Sequence, residues 1–150
     1  MGKKKFNERR KREEKFIVSK TPESNDNAVI VWSFEKVDRN GEFAFDLNRE
    51  DFKLEDFFKK LLDFSTMKWC ELFPPDESKS RHHPLSESSL SKQALSRIKA
   101  LQLEEDTDNL YSLALSGKVR LIGIRRGTIF QVIWYDANHE FAPSEKSILD

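Results

Sequence analysis

Apolar and polar positions change period several times along the chain, and each change predicts an element. Between Ala28 and Val37, Ile30, Trp32 and Phe34 share one parity while Ser33 and Glu35 take the other, as a half-buried strand requires. Asp38-Arg39-Asn40-Gly41 follows, and Asn-Gly favours a tight hairpin turn because both residues tolerate positive φ. Phe43, Phe45 and Leu47 then alternate with Glu42, Ala44 and Asp46, completing an expected N-terminal β-hairpin.

The period lengthens after residue 50. Leu54, Phe57, Phe58, Leu61 and Leu62 recur at helical spacing, with Asp51, Glu55 and Asp56 near the start, where acids complement the helix dipole. This helix is expected to reach Met67, with Trp69, Leu72 and Phe73 at its apolar end and Pro74-Pro75 stopping it. Residues 76–88 read as a long polar loop. Ser88 or Ser89 is placed to cap a second helix, striped by Leu90, Ala94, Ile98 and Leu101. Three strand-like runs close the pattern, Leu110–Leu115, Val119–Ile124 and Ile129–Tyr135, with Gly117 and Gly127 at their turns. The last run sets Phe130, Val132 and Trp134 opposite Ile129 and Ile133, so both its faces are apolar and it belongs inside the sheet. The expected fold class is α+β: an N-terminal β-hairpin, two helices, then a three-stranded antiparallel sheet. One domain over 27–143 accounts for all of these elements, between a basic, flexible tail at 1–26 and a C-terminal tail at 144–150.

Composition narrows the class. A chain of 150 residues with 11% aromatic side chains has the material for a single core. No apolar run reaches the roughly 18 residues of a spanning helix, so no membrane partner is expected. Nothing at the N-terminus has the apolar middle of a signal peptide, and the expected location is the cytoplasm. The single Cys70, beside Trp69 and Leu72, reads as a buried thiol and excludes an internal disulfide. The net charge is zero, yet residues 1–20 carry nine basic and three acidic side chains, which leaves the remainder at −6. A basic tail on an acidic body suits nucleic acid or another anionic surface; a solvated, solubilising arm is the other reading.

Candidate chemistry is sparse. With five glycines and no glycine-rich phosphate loop, the common nucleotide-binding enzymes are excluded. No metal or other cofactor is expected: His82, His83 and His139 would all be needed, and adjacent side chains diverge. Two constellations remain. Lys79, Arg81 and His82 sit with His83 and two serines in the polar loop, suited to gripping a phosphate or supplying a proton, or simply to a wet surface. Lys118, Arg120, Arg125 and Arg126 lie within nine residues without an acid among them. They read as an anion or RNA-backbone surface, or as partners for the body's own carboxylates.

The stretch from Arg120 through Gly123, Arg125 and Phe130 to His139 resembles the closing strands of small RelE/ParE-type toxins. Those proteins place two helices before an antiparallel sheet and carry Arg, Gly and Arg where the strands start. The likeness covers residues 50–141; the N-terminal hairpin, the long inter-helix loop and the Arg126-Gly127-Thr128 turn lie outside the toxin pattern. The chain also resembles, nearly end to end, a bacterial family that closes on W-Y-D-x-N-H-E-F-x-P-S, here Trp134 to Ser144. The toxin resemblance implies metal-independent RNA cleavage on the ribosome, with RNA or the ribosome as partner and a small antitoxin protein as a further one. On matching positions Arg120 and Arg125 would hold phosphate, and Tyr135 and His139 would move protons. His139 has the alternative reading of a turn residue bonded to the backbone. Two other classes stay open: a non-catalytic nucleic-acid-binding module, and a protein-interaction or phage-linked accessory factor without nucleic acid.

Overall fold

In the computed structural model, which describes residues 25–143, one five-stranded sheet carries helices on both faces. In chain order the elements are β1 (Val31–Ser33), α1 (Leu54–Ser65), α2 (Trp69–Leu72), β2 (His83–Pro84), α3 (Lys92–Ala100), β3 (Leu110–Ala114), β4 (Arg120–Arg126) and β5 (Ile129–Asp136). The strand order is β1-β5-β4-β3-β2, antiparallel throughout except that β1 runs parallel to β5. The α+β class and the three antiparallel C-terminal strands agree with the periodicity; the sheet has two strands more than expected. Of the basic tail expected at 1–26, residues 1–24 lie outside those described, as does the C-terminal tail at 144–150.

The N-terminal hairpin does not form. Only Val31–Ser33 is a strand, and its partner is β5, not the run Phe43–Leu47. The reason lies in where the backbone groups find partners. Asp38 N–H donates to the Ile133 carbonyl at 2.8 Å, and Tyr135 N–H donates to the Phe43 carbonyl at 3.0 Å. Both halves of the expected hairpin therefore follow the open edge of β5, and the turn between them wraps around the buried Asp38 carboxylate. An interior edge satisfies more buried backbone polar groups than a two-stranded ribbon standing alone.

Strand alternation divides the core. On one face, Phe57, Leu61 and Phe64 of α1 and Trp69 and Leu72 of α2 pack on Leu113, Leu121, Phe130 and Val132. On the other, Ala94 and Ile98 of α3 pack on Ile122, Ile124, Ile133 and Trp134. Trp134 departs from simple alternation: Ile122 pairs with Trp134 but Gly123 pairs with Val132, so Ile133 is an extra residue in β5. This bulge turns Trp134 to the same face as Ile133, away from Phe130 and Val132. The helix on that face starts later than expected: the Ser91 hydroxyl, not that of Ser88 or Ser89, accepts from the Ala94 N–H at 3.1 Å. The polar loop before it is not structureless, since its middle supplies β2.

Candidate functional site

A cleft of about 860 Å³ opens on the α3 face, at the end of the sheet where β4 begins and β5 ends. Its position follows from register. His83, Ser112, Ile122 and Trp134 pair in one row across four strands, and Arg120 pairs with Asp136 in the next row, where β4 begins and β5 ends. Arg81 and His139 complete the wall, and a serine-rich segment from Ser86 to Ser91 forms the rim.

Two guanidiniums converge here. Arg81 Nη2 donates to the Gly117 carbonyl at 2.6 Å, and Arg120 Nη1 donates to the same oxygen at 2.8 Å and to the Val119 carbonyl at 3.0 Å. Gly117 sits at φ +55 in the β3–β4 turn, a backbone state that glycine adopts without strain, and this presents its carbonyl to both arginines. Among the described residues neither arginine forms an ion pair with a carboxylate. Asp136 lines the cleft, but both its oxygens are engaged, accepting from the Glu140 N–H at 3.0 Å and the Phe141 N–H at 2.9 Å. Burial, then the neighbouring Arg81 charge, pull the Arg120 pKa below its ordinary value, although a guanidinium stays charged.

His139 is held on the turn that Asp136 ties down. Its φ is +58, a left-handed conformation uncommon outside glycine, in which asparagine, aspartate and histidine are the enriched exceptions. The bonds that close this turn belong to Asp136 and not to the imidazole, which faces the cleft. Burial and then the Arg120 charge lower the His139 pKa, with Asp136 opposing, so the ring is neutral near pH 7.

The other candidate residues lie elsewhere. His82, one residue from His83, points to the opposite face: its Nδ1 accepts from the Ala114 N–H at 2.9 Å and its ring lies between Phe64 and Phe73. Burial, then the nearby His83 charge, lower its pKa to about 4, so it is a neutral structural acceptor. Tyr135 is 1% exposed on the α1 face, stacked on Phe52 at 4.1 Å, and its hydroxyl accepts from the Lys53 N–H at 3.3 Å. Burial raises its pKa. Arg125 lies 4.1 Å over the Trp69 ring and pairs with Asp26 at 2.7 Å, while Arg126 pairs with Asp106 at 2.9 Å. Lys79 and Lys118 are exposed and outside the cleft lining. Among the described residues no group of three histidine, cysteine or acidic side chains has metal-binding spacing.

The structure thus brings together Arg81 and His83 of the loop constellation with Arg120 of the strand run, and adds His139 to them. Ser112 and Asp136 were missed. Alternation through Arg81-His82-His83 would have separated the two histidines, but a two-residue strand ending at Pro84 is too short to show a period. No family model, curated protein or solved structure matches this chain.

Proposed function

We propose that the cleft binds the phosphate backbone of RNA, and that the protein is a metal-independent endoribonuclease of RelE-like build in which His139 moves a proton. The observation that carries this reading is the pair of guanidiniums on the Gly117 carbonyl, neither ion-paired with a carboxylate among the described residues, in one cleft with the His139 imidazole. Two cations about one phosphate supply the charge stabilisation that phosphoryl transfer requires, and the serine rim offers further donors to a polyanion. The helices preceding an antiparallel β3-β4-β5 sheet support the RelE-like build, with β1, β2 and the placement of α3 on the second face as additions to it. RNA or the ribosome is then the partner, a small antitoxin protein a further one, and the cytoplasm the place of action. Among the described residues no helix is long and apolar enough to cross a membrane.

The test is binding and cleavage of a labelled single-stranded RNA, free and as messenger on ribosomes, by wild type and by Arg81→Gln, Arg120→Gln and His139→Gln. Each arginine variant is expected to weaken binding and flatten its salt dependence. The His139 variant is expected to bind and lose cleavage by roughly 10²–10⁴-fold. Binding without any cleavage would leave a non-catalytic RNA-binding module, and no binding at all would remove RNA as the ligand.

A further inference from the structure

The cleft holds a second histidine that the reading above does not use. His83 is carried on β2, in backbone register with Ser112 of β3, and lines the same cleft as His139. The two imidazoles come from unconnected parts of the chain: one from the outermost strand, the other from the turn after β5. Arg81 and Arg120 line the same cleft, and His83 is among the charged groups that act on His139. Cleavage of RNA by its own 2′-hydroxyl needs one group to take a proton and another to give one, on opposite sides of a phosphate.

Resting on the proposed RNA-cleaving role of this cleft, we infer that His83 is the second catalytic residue, the general acid, paired with His139 as general base. His139 takes the proton from the 2′-hydroxyl, and the 2′-oxygen forms a bond to phosphorus as the bond from phosphorus to the 5′-oxygen breaks. His83 gives its proton to that departing oxygen. The products are a 2′,3′-cyclic phosphate and a 5′-hydroxyl end. One proton has passed to His139 and one has left His83, and exchange with water restores both. No metal, oxidant or second substrate enters the balance.

The assignment of base and acid follows from surroundings. The groups that face His139 are Arg120 of β4, Arg81 of the loop before β2, Asp136 of β5 and His83 itself. With two fixed cations against one carboxylate already bonded to backbone N–H groups, this position favours the neutral imidazole that a base must be. The same arginines hold the non-bridging phosphate oxygens and leave His83 to address the leaving group.

The experiment uses the full chain and two RNA oligonucleotides of one sequence, with oxygen or sulfur at the bridging 5′ position of the scissile phosphate. A thiolate leaves without being protonated, so sulfur bypasses the need for an acid. With the oxygen substrate, His83→Gln and His139→Gln are each expected to lower cleavage by roughly 10²–10⁴-fold while RNA affinity stays within a few fold. Sulfur is expected to restore most of the rate to His83→Gln and none to His139→Gln. Wild-type products should carry 2′,3′-cyclic phosphate. If His139→Gln loses cleavage but His83→Gln does not, or if sulfur fails to rescue His83→Gln, the role given to His83 is overturned and the reading of the cleft stands. RNA that binds but is never cut overturns the acid–base pair, and RNA that does not bind overturns both. His83→Asn and a thermal melt of each variant separate lost chemistry from lost folding, since the pairing of His83 with Ser112 is through the backbone.

Discussion

Arg97 of α3 grips Asp38 with two parallel bonds, Nε to Oδ2 and Nη2 to Oδ1, both at 2.9 Å. The carboxylate is 2% exposed and also accepts from the Trp134 indole at 2.9 Å and the Asn40 N–H at 3.0 Å. A charge buried in this way is tolerated because each oxygen has two donors. The pair pins α3 to the loop that follows the β5 edge. Arg97→Leu is expected to cost about 3 kcal/mol in urea unfolding, because it strands the buried carboxylate. Arg97→Lys should recover little, since an ammonium cannot make the two-pronged contact. Gly41 has φ +85, and a Cβ there would lie 2.8 Å from Arg97 Cδ. The losses from Gly41→Ala and Arg97→Leu should therefore sum to more than the double variant shows.

Gly123 of β4 lies close against the backbone of β5. A Cβ at this position would clash with the Gln131 carbonyl oxygen and stand 2.6 Å from Phe130 Cε1, beside the bulge. Backbone cannot yield as a side chain does, so Gly123→Ala is expected to destabilise by about 3 kcal/mol or more, measured by thermal or urea unfolding. A loss under 1 kcal/mol would contradict the close packing described for this strand pair.

Arg120 and Arg125, two of the three arginines in the 120–126 run, should separate in assay. Arg120→Gln is expected to reduce the slope of log K against log salt for RNA by about one, with folding intact. Arg125 is held by Asp26 and the Trp69 ring, so Arg125→Gln should lower stability and leave the slope per folded molecule unchanged. Equal slope changes in the two variants would move the RNA surface off the cleft.

Stability is expected to fall on mild acidification through His82. Its folded pKa of about 4 lies below the ordinary 6.5, so the neutral ring favours the folded state. The contribution is complete above pH 6.5 and is lost progressively as pH falls toward 4; His139, shifted the same way, adds to the trend. His82→Asn keeps an acceptor near Nδ1 for the Ala114 N–H and cannot be protonated there. Its urea midpoint should drop less than that of wild type between pH 7 and pH 4.5, and an equal drop would assign the effect elsewhere.

Tyr135→Phe distinguishes the two faces of the sheet. It removes only the acceptor for the Lys53 N–H, in the core away from the cleft, and should cost about 1 kcal/mol. RNA cleavage per folded molecule is expected to be unchanged, and a loss of 100-fold would return the tyrosine to the reaction.

Local pattern determined much of this protein. The helix that buries Phe57 and Leu61, the strands from Leu110 to Asp136, and the glycine turns at 117 and 127 follow from spacing and backbone preference, whereas Leu54, Phe58 and Leu62 of the expected stripe are exposed and Phe64 is buried in their place. Asp-Arg-Asn-Gly was legible as a turn for the same reason. Tertiary structure decided what those elements pair with. The Asn-Gly signal describes a turn and not the strands beside it, and the unpaired edge of β5, distant in sequence, took the backbone groups of both flanks. The bulge at Ile133 reversed the face of Trp134, and a two-residue strand set His82 and His83 on opposite sides of the sheet. The cleft itself joins Arg81, Arg120 and His139 from three separate segments, and a one-dimensional period carries no information about which segments meet.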